Sequence, residues 1–503
     1  FFFYRHLQGD FNHLIYSYIG FNFILTAIAL NGFFIVANRK SLLLLFAVIP
    51  IIALLISSFY GLFHVFYLPI YSLPFNIVVL LILTTLQSRA ASKGIYLVQY
   101  QQYSPEKNHY AYYNYLERYK ANSHIDISLP FIGAWYVSQG QNGDITHKEA
   151  WQYALDFDVR NQKNKTYSGT GATHTDYYCY GLPITAPASG WVYAIVNEVE
   201  DNDIGEVNIE KNWGNTIIIQ HNEYLYSALS HLKKDSFLCS VGSYVNQGDI
   251  IAYCGSSGRS PEPHLHFQVQ TTPHVGAKTL QYPVSHYIVH EKNKDKLHFY
   301  DIPEEHQTVS NIVINPLLYR AFHFIPGKSM RWSYEYKGKK IEAKWNIETN
   351  ALNQVYLYCE DTKSTAYFIN KGSVFYFTHF NGDVRSLLYY FYLAAQKCIL
   401  GYYKGISIKE KMLTQHHFHP LIHAIHDITA PLFHYLQVYY HSTFLDSAIS
   451  TDSNIIIKSE VVSQMRNKKI RKKEFEIKIK NDGFDTLIIT DGKKRIQAKY
   501  LLQ

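Results

Sequence analysis

Three stretches near the start of the chain carry no formal charge: Leu14 to Ala37, Leu42 to Val65 and Pro69 to Gln87. Each is long enough to cross about 30 Å of hydrocarbon as a helix. Inside a bilayer only a helix or a closed barrel satisfies every backbone polar group, so no other feature restricts the fold as strongly. The pattern predicts an N-terminal α-helical membrane region over residues 1–93, multi-pass, with about three spans. Arg39 and Lys40 follow the first run, and Arg89 and Lys93 follow the third. Such clusters favour the cytoplasmic side, which places the soluble part in the cytoplasm if three spans are counted literally. The chain opens on Phe1-Phe-Phe-Tyr4 without a methionine, which reads as a true N-terminus lying upstream.

The rest of the chain divides by texture. Residues 94–131 are Tyr-rich and mixed polar, as in Tyr110-Ala-Tyr-Tyr-Asn-Tyr115, and read as a linker. From Ile132 short β-prone runs follow one another between Gly, Asn and Asp: Trp135 to Val137, Tyr153 to Val159, Gly190 to Val196, Asn215 to Gln220, Tyr224 to Leu229, Asp249 to Tyr253 and His264 to Val269. Strands at this spacing predict a central all-β domain with an antiparallel sheet over residues 132–285. Residues 286–503 alternate in the same way from Arg331 to Phe380 and from Glu474 to Leu501, with Asn481-Asp-Gly483 and Asp491-Gly492 turns. Two helical runs, Val384 to Tyr403 and Pro420 to Tyr440, make this C-terminal region mixed α+β, and the whole chain multidomain.

Composition excludes some functions. The net charge of +7 is dispersed apart from Arg466 to Lys473, and no patterned basic and aromatic surface argues for nucleic acid. Five cysteines, odd in number and with no Cys-x-x-Cys pair, indicate neither a disulfide scaffold nor a cysteine metal site. Val241 to Ala252 has turns like those of biotinyl or lipoyl carriers, but no acceptor lysine stands in a tight hairpin there.

The chemistry concentrates in Gly255-Ser-Ser-Gly-Arg-Ser-Pro-Glu-Pro-His-Leu-His-Phe267. If Leu265 lies in a strand, His264 and His266 point to one face, and two imidazoles on one face invite a metal. Upstream stand Leu155-Asp-Phe157, Ala186-Pro-Ala-Ser-Gly-Trp-Val192, Gly214-Asn-Thr-Ile217, Ser230-His-Leu232 and Val241-Gly-Ser-Tyr-Val-Asn-Gln-Gly-Asp-Ile250. In this order, over about residues 132–275, the motifs resemble the lysostaphin and LytM type of zinc endopeptidase.

The resemblance implies one zinc ion, held by Asp156 and His266 with a first histidine upstream. A catalytic zinc needs three protein ligands and one open position. The family's usual place for that histidine is occupied by Gln152, a poor zinc ligand beside imidazole. His147, nine positions before Asp156, is the preferred candidate, because the turn Gly143 to His147 can fold the imidazole back over the strand. His174 is the alternative, and a defective site the third possibility. His231 and His264 match the family's two non-ligand imidazoles, one a proton acceptor for the attacking water and the other a donor to the developing oxyanion. The resemblance implies a peptidase acting on peptidoglycan cross-links or stem peptides; with the apolar runs this reads as a membrane-anchored enzyme whose peptidase domain is extracytoplasmic, in conflict with the positive-charge count. The competing reading is an inactive LytM-like binding or activator module for cell-wall hydrolysis. A second histidine cluster, His416, His417, His419, His423, His426 and His434, reads as a polar helix face.

Overall fold

The computed structural model describes residues 19–87, 94–98, 105, 108, 112, 125–291, 295–403, 405–429, 433–444, 454–480 and 483–501. Residues 14–18 of the first apolar run, Arg89 and Lys93, most of the Tyr-rich linker, and Asn481 and Asp482 of the C-terminal turn lie outside them. The chain falls into two units: residues 1–117 with 410–439 and 461–472, and residues 118–409 with 440–460 and 473–503.

In the first unit a short helix, Ile19–Ala27, continues as a π-helical turn, Ile28–Phe34. The helix Arg39–His64 follows. It starts at a capping box in which the Asn38 side chain accepts from the Lys40 and Ser41 amides and Ser41 Oγ accepts from the Asn38 amide. A third helix spans Leu73–Gln87. Val48, Ile52, Ile56 and Val78 pack between the second and third helices, while Leu43, Phe46, Leu54 and Leu62 face outward. Among the described residues one helix, Arg39–His64, is long and apolar enough to cross a membrane. The other apolar helices among the described residues, Gly20–Phe34 and Leu73–Gln87, are shorter, and Tyr67 and Tyr71, both at positive φ, lie between the second and third helices.

The second unit holds a ten-stranded antiparallel sheet. Its order across the sheet is Lys296–Asp301, Val284–His290, Thr308–Ser310, Ala134–Gln139, Leu155–Asp158, Leu265–Gln270, Leu225–Leu232, Asn215–Asn222, Gly190–Val196 and Tyr244–Val245. The predicted strands are present within a few residues, since alternation of apolar residues is a local signal. One face carries Trp135, Val137, Leu155, Phe157, Ile217, Ile219, Leu229 and Leu265, all buried in a single core. The sheet does not stop at residue 285, where the sequence pattern sets the domain's edge. Val284–His290 pairs with Thr308–Ser310, which pairs with Ala134–Gln139, and Ile127 in the expected linker bridges Val284. These segments cover an edge that would otherwise present unpaired backbone.

A further antiparallel meander runs through Lys397–Ile399, Val374–Asn381, Ser364–Asn370, Val355–Cys359, Lys339–Thr349, Ser329–Tyr336, Lys494–Leu501, Gly483–Asp491 and Lys468–Lys480. Its helical predictions need correcting at their C-terminal halves. The first helix is Leu387–Ala394, after which Lys397–Ile399 joins the sheet with Val374 opposite Ile399. The second is Pro420–Thr429, and Leu436–Phe444 is a strand in which every second residue is buried. Both tails are apolar runs too short for periodicity to separate helix from strand.

Candidate metal centre

Strand register builds the site. Asp156 lies directly opposite His266, and His266 directly opposite Ser230, the neighbour of His231. Opposed residues of antiparallel strands present their side chains on one face. Asp156 and His266 therefore meet on the face away from the core, although they are 110 residues apart. His266 Nδ1 stands 2.8 Å from Asp156 Oδ1. Its Nε2 lies 3.1 Å from Gln268 Oε1, and Gln268 Nε2 donates onward to Gln270 Oε1 and the Ala277 carbonyl. With Nε2 donating to Gln268, the Nδ1 lone pair is the one that faces the cleft.

The third member arrives on a loop. After the strand Ala134–Gln139 the chain turns back through Asn142 at positive φ, and Gln139 Oε1 accepts from the Ile145 and Thr146 amides at 3.1 Å each. The next residue, His147, is fully buried and donates through Nδ1 to the Gly140 carbonyl at 2.8 Å. Its Nε2 faces Asp156 Oδ2 at 3.2 Å and has no hydrogen-bond partner. An orphaned imidazole nitrogen buried beside a carboxylate is costly unless something else binds it. One ligand atom each from His147, Asp156 and His266 lies within 4.8 Å of the others, the one such His, Cys, Asp or Glu group found among the described residues. Two neutral imidazoles and a carboxylate suit a tetrahedral zinc with one open position, so the donor set fits the group.

Charge follows the same geometry. Burial pushes the Asp156 carboxyl up, but the His147 and His266 imidazoles outweigh it and hold the carboxyl well below the usual range. For His147, burial works against protonation and Asp156 reverses the balance, so its pKa is raised. Burial, with His264 and His266 nearby, pushes His231 well below the ordinary value.

His231 and His264 line the same cleft of about 530 Å³, with ring centroids 4.7 Å apart. His231 has φ +62, an unusual conformation for a non-glycine residue and one that recurs at functional sites. Its Nδ1 donates to the Ser257 carbonyl at 2.8 Å, and His264 Nδ1 donates to the Glu262 carbonyl at 3.0 Å. In both rings Nε2 is left without a protein partner among the described residues.

Residues 173–278 match the sequence model of peptidase family M23. Over these residues the central domain is similar to this family. A peptidoglycan DD-endopeptidase, ShyB of Vibrio cholerae, is 41% identical over 90 residues, 18% of this chain and 19% of that protein, so the chain spans about a fifth of the relative's length. The catalytic domain of a prophage-encoded M23 protein, EnpA of Enterococcus faecalis, is 17% identical over 31% of this chain and 93% of its own, with a TM-score of 0.21. The lysostaphin catalytic domain of Staphylococcus simulans is 22% identical over 29% of this chain and 88% of its own, with a TM-score of 0.18. Residues 1–87 match a second family model, that of urea transporters.

The M23 match contains His231, His264 and His266 but begins after His147 and Asp156. The segment it leaves out is the one with Gln152 at the family's usual histidine position. Gln152 is half-buried outside the cleft, and its carbonyl accepts from the Asn142 amide. His174 is also away from the M23 site: its Nε2 lies 2.7 Å from the Asn202 carbonyl and its ring stacks on Tyr180. The C-terminal histidine cluster brings His423 to Thr414 and Asp427 without joining a three-donor group among the described residues.

Several residues of the cleft are not singled out by the sequence. Gln139 Nε2 donates to Asp156 Oδ2 at 3.2 Å and to Thr146 Oγ1 at 2.6 Å, linking the carboxylate to the turn that bears His147. Trp213 meets the His266 ring edge to face at 5.0 Å, and Trp151 meets Trp213 at 5.3 Å. Arg160 and Arg259 bring two cations to the wall. The only signal for Gln139 is a polar residue ending an apolar strand. The tryptophans adjoin motifs, at Trp151-Gln152 and Trp213-Gly214.

Proposed function

We propose that this chain is a membrane-anchored zinc endopeptidase that hydrolyses peptide bonds in peptidoglycan cross-links or stem peptides. The observation that carries the reading is the convergence of His147 Nε2, Asp156 and His266 Nδ1 beside a second pair of imidazoles in one cleft. His147, Asp156 and His266 would hold the ion. When bound, it supplies a Lewis acid for the scissile carbonyl and a nucleophile at neutral pH, by lowering the pKa of water to about 7.

The remaining steps belong to side chains. His231, kept neutral by burial with its Nδ1 proton tied to Ser257, offers an Nε2 lone pair and is the proton acceptor for the attacking water. His264, less buried, in its imidazolium form hydrogen-bonds the developing oxyanion through Nε2–H, and the proton that His231 takes from the water passes to the leaving amine. General acid and base help of this kind is typically worth about 10²- to 10⁴-fold. Trp151 and Trp213 exclude water from the side of His266.

The inactive-module reading draws its force from Gln152, and the position of His147 Nε2 beside Asp156 supports the enzyme reading over it. The activity named for the Vibrio cholerae relative supports peptidoglycan as the substrate. The helix Arg39–His64 and the match of residues 1–87 to a transporter family support the membrane anchor. A peptidoglycan substrate requires the M23 domain to lie outside the cytoplasm, and a reporter active only there, fused after Ser310, is expected to give signal. The decisive experiment measures zinc content and cleavage of cross-linked peptidoglycan peptides by the full chain and by His147→Ala, His174→Ala and Asp156→Ala. We expect stoichiometric zinc and cleavage in the parent and in His174→Ala, and loss of both in the other two. A parent that binds no zinc overturns the enzyme reading.

A further inference from the structure

We propose that Arg259 is a specificity-determining residue of the cleft, and that it binds a carboxylate carried by the substrate peptide. The proposal rests on the peptidase reading and narrows its substrate class from neutral small-residue bridges to peptides with a free carboxylate inside the cleft.

The charges lining the cleft are Asp156, Asp158, Glu262, Arg160 and Arg259. Four of the five have partners. Asp156 is taken by His147 and His266. Asp158 holds Arg160 through Nε and Nη2, each at 2.8 Å, and the guanidinium lies 3.7 Å over the Tyr136 ring. Glu262 Oε2 accepts from Thr166 Oγ1. Arg259 is exposed, and among the described residues its guanidinium has neither a hydrogen-bond nor an ion-pair partner.

Its main chain is held firmly. The Arg259 amide donates to the Asn212 carbonyl at 2.8 Å, and the Ser260 amide donates to the Gly258 carbonyl at 2.9 Å. Gly258, at φ +78, packs so closely on the Gly214 backbone that no side chain fits between them. Ser260 Oγ, one residue on, contacts both the Glu262 carbonyl and His264 Nδ1. One short turn thus fixes the base of Arg259 and orients a reacting imidazole, so the long side chain reaches over the cleft from a rigid support. A guanidinium presents a planar fork of donors that matches a carboxylate in two parallel hydrogen bonds. Within a cleft walled by Trp151 and Trp213 such a charge acts with less solvent screening than on an open surface.

The carboxylate can sit on a side chain or at a peptide C-terminus, and the test separates the two. Cross-linked synthetic stem peptides are prepared with both carboxylates free, with the side-chain one amidated, and with the C-terminal one amidated. Cleavage by the full chain and by Arg259→Gln is followed as kcat/KM. We expect the parent to prefer one free carboxylate by about 10- to 100-fold, the scale of a charge-assisted pair. We expect Arg259→Gln to lose that preference while cleaving the matching amide as well as the parent does, and Arg259→Lys to retain part of it. An equal fall on all three peptides, with unchanged zinc content, assigns Arg259 a structural role and overturns the proposal. So does an unchanged preference in Arg259→Gln. If the parent cleaves none of the peptides, the peptidase reading fails by itself. Calorimetric binding of the free-carboxylate peptide then decides about Arg259, and equal affinity for parent and Arg259→Gln overturns its role.

Discussion

Replacing Gln139 with alanine is expected to weaken zinc binding about 10- to 100-fold while leaving the domain folded, the usual cost of removing a residue that orients metal ligands. The side chain is buried and its amide makes four contacts: to Asp156 Oδ2, to Thr146 Oγ1, and from the Ile145 and Thr146 amides. Three of these hold the turn that ends in His147, and one holds the carboxylate. Without them the turn regains freedom that metal binding must then remove. Fixing the backbone of a residue costs roughly 1–2 kcal/mol, so release of one or two residues accounts for about 1.4–2.7 kcal/mol, or 10- to 100-fold in affinity. The assay is zinc titration of the full chain against a competing chelator, with thermal unfolding measured on the metal-free protein. Parental affinity in a folded Gln139→Ala variant would refute the claim that this amide positions His147 and Asp156.

Two further outcomes follow from packing and from burial. Gly258→Ala places a Cβ against the Gly214 amide and 2.7 Å from the Lys211 carbonyl at a left-handed φ, so we expect a loss of at least about 2 kcal/mol and a melting temperature lower by roughly 4–8 °C; an unchanged melting temperature would show that the turn yields. Burial, opposed by Asp126 and reinforced by Lys397 and Lys371, lowers His286 from 6.5 to about 3. Its folded pKa lies below its unfolded one, so its contribution is neutral above pH 6.5, and stability falls as pH drops from 6.5 towards 3 because the unfolded chain binds the proton first. At pH 4.5 the cost is about 2.7 kcal/mol. We expect His286→Gln to gain roughly that much relative to the parent between pH 7.5 and 4.5, read by urea unfolding, and a pH-independent difference would contradict it.

Legibility in the sequence tracked the range of the interaction. The strands of the central sheet and the motif histidines His231, His264 and His266 follow from local alternation and from turns that need glycine, so an ordered set of short motifs was enough to indicate them. The segments 397–399 and 436–440, which read as helix in the sequence, are short runs whose conformation is settled by a neighbouring strand. Arg259 stands in the most conspicuous motif of the chain, yet only the structure shows that its guanidinium has no partner among the described residues.

By itself the sequence determined that the chain combines an apolar helical region with an antiparallel β domain, and that Asp156 and the two His motifs could meet a metal. Only the tertiary structure sets His147, and not His174, beside Asp156. His147 and His174 are equivalent as residue types, and which one reaches Asp156 depends on strand pairing, on the closure of the 140–154 loop and on the buried Gln139 amide that ties them together. Side-chain type and periodicity act over a few residues, whereas a metal centre requires donor atoms from distant segments to converge within a few ångströms. That convergence is a property of register and loop closure.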